Sequence, residues 1–170
     1  MSANVITFAG TPAVRMIDSD RVAIEDGYMF SVYLVGTLGS GEAAEIALTT
    51  GASGAHLTYG VHSEKIAVFS IKEGVTSLAA GTAFTAVNRN RNNSRAATTT
   101  VKTGVPAGAL TYSGGTVIES EQITSAGSNS AAQADHKFLL KNSTTTIFRL
   151  VAGAASCDFS LGLTWQEGAR

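Results

Sequence analysis

A single cysteine, Cys157, stands in the 170-residue chain, so no internal disulfide can form and nothing calls for an oxidising compartment. It falls on the apolar side of an alternating segment, where a small buried hydrophobe is a simpler role than a reactive thiol. Charged residues are scarce, at 15%, and the net charge of −1 gives no global attraction to nucleic acid or an anionic membrane. No apolar run approaches the ~20 residues of a membrane-spanning helix. Met1-Ser2-Ala3-Asn4-Val5 lacks the basic region and apolar core of a secretory signal, so the expectation is a chain made and assembled in cytoplasm. Without secretion, the sequons Asn92-Asn93-Ser94 and Asn142-Ser143-Thr144 are chance matches.

What is abundant is apolar or small. The hydrophobic fraction is 44%, with 18 glycines and long tracts of Ser, Thr and Ala. A chain of this length fits one domain that buries roughly 70% of its unfolded surface, enough for a real core. A surface of Thr, Ser, Ala and Gly carries few strongly hydrated ions and is cheap to desolvate, which suits a protein packed against neighbours. An ordinary Thr-rich sandwich surface explains the same composition.

The strongest structural signal is the end of the chain. From Cys157 to Trp165 every odd residue is apolar, while Asp158, Ser160, Gly162 and Thr164 alternate with them. Side chains change face at each residue of a strand, so this pattern predicts a β-strand with a core on one side, sealed by the only Trp. Upstream, residues 1–20 form an arm or a first hairpin, with short β pieces at Val5–Phe8 and Ala13–Ile17 and a polar turn at Asp18–Arg21. Residues 21–170 form one domain. Its strands are Tyr28–Leu38, covered on both faces, then Glu45–Thr50, Ala55–Val61, Lys65–Lys72, Thr82–Asn88, Ala96–Thr103 and Ala109–Ser120. A loop spans Glu73–Gly81, and Ser125–Asp135 is a low-complexity, mobile loop. His136–Leu140, Thr145–Val151 and Cys157–Trp165 complete the set, the last two joined as a hairpin by Ala152–Ser156. Short strands between Gly-bearing turns predict an all-β antiparallel β-sandwich, a jelly roll, with an N-terminal arm.

Catalytic and metal signatures are weak. His56 and His62 share strand parity, but a metal site needs a third ligand, and the His-x-His of cupins is absent. There is no Gly-x-Ser-x-Gly nucleophile elbow, Asp135-His136 adjoins the low-complexity stretch, and the glycines never open a helix as a phosphate loop. The expectation is no enzyme, no cofactor and no metal. The one charge cluster is Asn88-Arg89-Asn90-Arg91-Asn92-Asn93-Ser94-Arg95. No aromatic interleaves for base stacking, so Arg89, Arg91 and Arg95 are assigned to contact with an acidic protein partner, with a solvated loop as the alternative.

The order of features from Phe30 to Glu167 resembles the capsid decoration, or cement, proteins of tailed bacteriophages. The pieces that carry it are Leu48-Thr49-Thr50-Gly51-Ala52, Glu73-Gly74 ahead of Gly81-Thr82, and Asn88-Arg89-Asn90-Arg91. Gly115-Thr116, Phe138-Leu139-Leu140-Lys141, Phe148-Arg149-Leu150 and Trp165-Gln166-Glu167 follow. The resemblance implies a jelly roll that assembles as a small homo-oligomer, a dimer or trimer, on the outer surface of the virion and bridges subunits of the major capsid protein. A tail-fibre or receptor-binding jelly-roll module is the second expectation. An enzyme of cupin or hydrolase type depending on His56 or His62 is the third.

Overall fold

The computed structural model describes residues 4–8, 11–15, 19–124, 130–133 and 138–168. In chain order the elements are β1 (Asn4–Phe8), β2 (Thr11–Arg15), a short helix α1 (Ser19–Glu25), β3 (Met29–Leu38), β4 (Ala43–Thr49), β5 (Ala55–Ser63) and β6 (Ala67–Ala80). They continue with β7 (Thr82–Phe84), β8 (Val87–Asn88), β9 (Thr100–Gly104), β10 (Leu110–Ile123), β11 (Ser130–Gln133), β12 (Phe138–Leu140), β13 (Thr145–Ala152) and β14 (Cys157–Gln166). Two antiparallel sheets make the body, one ordered β10-β6-β13-β4-β9-β7 and the other β11-β5-β14-β3-β8, with β12 also on β5. The chain is therefore an all-β antiparallel sandwich, as the strand rhythm predicts. β1 and β2 pair with each other and with neither sheet of the body.

The core lies between the sheets because each strand turns its apolar parity inward. On β14, Cys157, Phe159, Leu161, Leu163 and Trp165 are all buried. On β5 the inward set is Ala55, Leu57, Tyr59 and Val61; on β6 it is Ala67, Phe69 and Ile71. Aromatic rings meet at the centre, with Tyr59 5.0 Å from Phe69 and Phe30 6.1 Å from Trp165 between ring centroids. Cys157 is fully buried beside the Ser63 hydroxyl, 2.9 Å from Sγ, in the small-hydrophobe role expected of it.

Several local expectations are corrected. Of the expected polar turn at 18–21, the described part is no turn: Ser19–Glu25 is helical, braced by Arg21 Nε on Glu25 four residues on, at 2.8 Å, and residue 18 lies outside the described residues. The second face of β3 is not covered along its length: Met29 is buried, but Tyr33 and Val35 are 61% and 59% exposed. Glu73–Gly81 is not a loop, because β6 runs on to Ala80 paired with β10. Within Ser125–Asp135, Ser130–Gln133 forms a strand on β5, while the rest of that stretch and His136 lie outside the described residues. Ala152–Ser156 does not close a hairpin either. β13 pairs with β4 and β6 whereas β14 pairs with β3 and β5, so this loop crosses between the sheets.

A second, smaller cluster covers the outward face of the β4 sheet: Ala47, Val75, Leu110 and Ile147, with Leu78 and Tyr112 against them. It shelters the buried Glu45, whose carboxylate faces the in-register Arg149 at 3.0 Å. Glu45 also accepts hydrogen bonds from the Tyr112 hydroxyl at 3.0 Å and the Leu110 N–H at 3.3 Å. Burial and the adjacent carboxylate push Tyr112 up to about 12.

Candidate functional site

The arginine cluster follows β8 and is shaped by its asparagines. Each of three asparagine oxygens accepts the backbone N–H two residues on: Asn88 from Asn90 at 2.9 Å, Asn90 from Asn92 at 3.1 Å, and Asn93 from Arg95 at 2.8 Å. These are three successive Asx turns. The side-chain nitrogens point the other way and donate to three consecutive carbonyls at the end of α1 and just beyond it. Asn90 reaches Glu25 at 2.8 Å, Asn93 reaches Asp26 at 3.4 Å, and Asn88 reaches Gly27 at 3.1 Å. A helix end leaves carbonyls without intrahelical partners, and here a distant loop supplies the donors. Asparagine alone among the common residues accepts and donates from one short planar group, which explains its recurrence at 88, 90 and 93.

Gly27 is required by the same contact. Its φ is +74°, and a Cβ there would sit 2.3 Å from Asn93 Nδ2. The loop's far end is held by Glu167, just past β14. Its carboxylate accepts from the N–H and hydroxyl of Thr98 at 2.6 and 2.7 Å, from the Thr99 N–H at 2.8 Å and from the Trp165 indole N–H at 2.8 Å. Burial opposes the charge on Glu167, but these donors outweigh it and hold the carboxyl below the ordinary carboxylate range.

The arginines are therefore carried on a pinned loop. All three are exposed. Arg95 stacks its guanidinium over the Tyr28 ring at 3.9 Å, and Arg89 Nη1 lies 3.9 Å from the Met29 sulfur. Among the described residues none of Arg89, Arg91 and Arg95 is paired with a carboxylate. Their guanidinium donors stay available to an outside acceptor, with little ordering left to complete on binding. Replacing Asn88 with alanine removes two donated bonds and one accepted bond at a buried position. The expected cost is about 2 kcal/mol in chemical denaturation, with faster amide exchange across residues 88–95.

The histidines are not brought together. His56 and His62 both face outward from β5, but six residues of strand separate them by ~20 Å, too far to share a metal. Among the described residues no group of three or more His, Cys, Asp or Glu could hold a metal ion. Sequence reading missed the part of Glu167, which is visible only once Thr98 and Thr99 are seen beside it. Comparison with protein-family models, with curated proteins and with solved structures finds no match.

Proposed function

We propose that this chain is a bacteriophage virion structural protein that decorates the outside of an icosahedral head and stabilises it by bridging major capsid protein subunits. The observation that carries the reading is the arginine loop: Arg89, Arg91 and Arg95 exposed on a segment pinned by Asn88, Asn90, Asn93 and Glu167. A rigid cationic projection on a charge-poor body suits a protein that grips an acidic or carbonyl-rich surface. The strand order supports a jelly-roll reading, since β3-β14-β5-β12 on one side faces β4-β13-β6-β10 on the other, with successive strands wrapping between sheets. The hairpin β1–β2, hydrogen-bonded to neither sheet, supports a second contact, an arm that reaches a neighbouring subunit. Many such modest contacts repeated around a shell add up to a large total stabilisation.

The test is to mix the purified protein with expanded empty heads. Saturable binding and raised resistance of the heads to heat are expected. Charge reversal at Arg89 and Arg91 together should weaken binding by about tenfold or more and flatten its salt dependence, because exposed ion pairs are screened within a Debye length of ~10 Å. Heads that stay bare, or binding indifferent to both reversals, would count against the reading.

A further inference from the structure

The outward face of the β5-β14-β3 sheet has an organisation that neither the core nor the arginine loop uses. Its residues fall into rows across three strands. Ser31, Thr164 and Thr58 make one row, Tyr33, Gly162 and Gly60 the next, and Val35, Ser160 and His62 the third. None of these nine positions carries a formal charge; Asp158 and Glu64 lie beyond them at one end. The middle row has a knob and a hole. Tyr33 is 61% exposed and leans towards Gly162, where an added Cβ would come 2.9 Å from its ring. Gly60, in the same row one strand further on, is open: an added Cβ would meet nothing within 4 Å.

We infer that this face is the contact between two copies of the chain, packed sheet on sheet about a two-fold axis that runs along β14. Facing sheets pack ~10 Å apart, and such an axis keeps each row in register while exchanging the two sides of β14. It carries each Tyr33 onto the open Gly60 position of the other copy. It also carries Val35 onto His62, and brings exposed Leu139 of β12 towards exposed Val87 of β8. An axis along the row instead would set Tyr33 against Tyr33 and leave both holes empty. The full lengths of β3, β14 and β5 with the short β8 and β12 beside them, at ~4.8 Å between strands and ~3.3 Å per residue, give a flat footprint of roughly 550 Å² per copy. Two such faces meet the ~1,000 Å² total that a specific interface needs. The pattern of an aromatic anchor at the centre with charges at the edge is that of such interfaces.

This inference takes from the proposed function only the expectation of a small homo-oligomer; its test needs no capsid, so either can fail alone. The full chain is measured by sedimentation equilibrium over a wide concentration range. The wild type is expected at the mass of two 17.4 kDa chains. Gly60→Thr fills the hole on an outward strand position without crowding its own molecule, so it should leave thermal stability equal or higher while weakening dimerisation ~30-fold or more. Tyr33→Ser should do the same by removing the knob, and Val117→Thr, on the exposed edge of the other sheet, should leave the dimer intact. A wild type that stays monomeric at the highest concentration reached overturns the inference, even if it coats heads through this face. So does a Gly60→Thr variant that dimerises as tightly as the wild type.

Discussion

Replacing Trp165 with alanine is expected to lower the free energy of unfolding by about 3–5 kcal/mol, the range for truncating a buried aromatic. The indole is only 1% exposed and lies against Phe30, and on β14 it is in register with Leu57 on one side and Phe30 on the other. Alanine leaves a cavity that the two flanking strands, each pinned by its own ladder, cannot close. Chemical denaturation followed by far-ultraviolet circular dichroism reads the loss, since the substitution removes the only tryptophan fluorophore. The midpoint should fall with little change in the slope, because the surface exposed on unfolding is nearly the same. A loss under about 1 kcal/mol would mean that Trp165 does not seal the core.

Glu167→Gln is expected to cost about 3 kcal/mol at neutral pH, despite being nearly isosteric. The carboxylate answers four donors with two oxygens and, among the described residues, pairs with no cation. An amide offers one oxygen and turns an NH₂ towards N–H and O–H groups that need an acceptor, so at least one donor is left buried and unpaired. The pH dependence has a definite sign. The folded carboxyl ionises more readily than the ordinary value of 4.5, held down by its donors against the penalty of burial. Its stabilisation is therefore complete above 4.5 and is lost as pH falls from there through the lower folded value. The gap between wild type and Glu167→Gln should be widest at neutral pH and close in acid. Because Trp165 donates to this carboxylate, combining Glu167→Gln with Trp165→Phe should cost less than the two separate losses together.

The parts of the fold that could be read from residues alone are those where one face meets the core and the other meets solvent. β14 and β5 alternate without exception, and their burial follows the pattern residue by residue. β6 was legible only to Lys72. Beyond it Glu73, Gly74 and Ser77 look like loop, yet the segment is held as strand by its partner β10, with register irregularities at both Ser113/Gly114 and Val117/Glu119. Loop composition could not show that Ala152–Ser156 crosses between sheets, because a hairpin and a crossover can both use small residues. Tyr33 and Val35 look like core by hydrophobicity, and only the position of β3 shows that their face is uncovered where they stand. At the candidate site, the arginines marked the loop, but the asparagines carry its geometry. Each reads as ordinary loop polarity until α1 is seen to end beneath it.

Electron cryo-microscopy of heads incubated with the purified protein tests the central claim most directly. The account predicts a two-sheet body on the outer surface, repeated with the symmetry of the shell, with the loop bearing Arg89, Arg91 and Arg95 turned towards the major capsid protein. Heads without that density at saturating protein, or density confined to the tail, would contradict it.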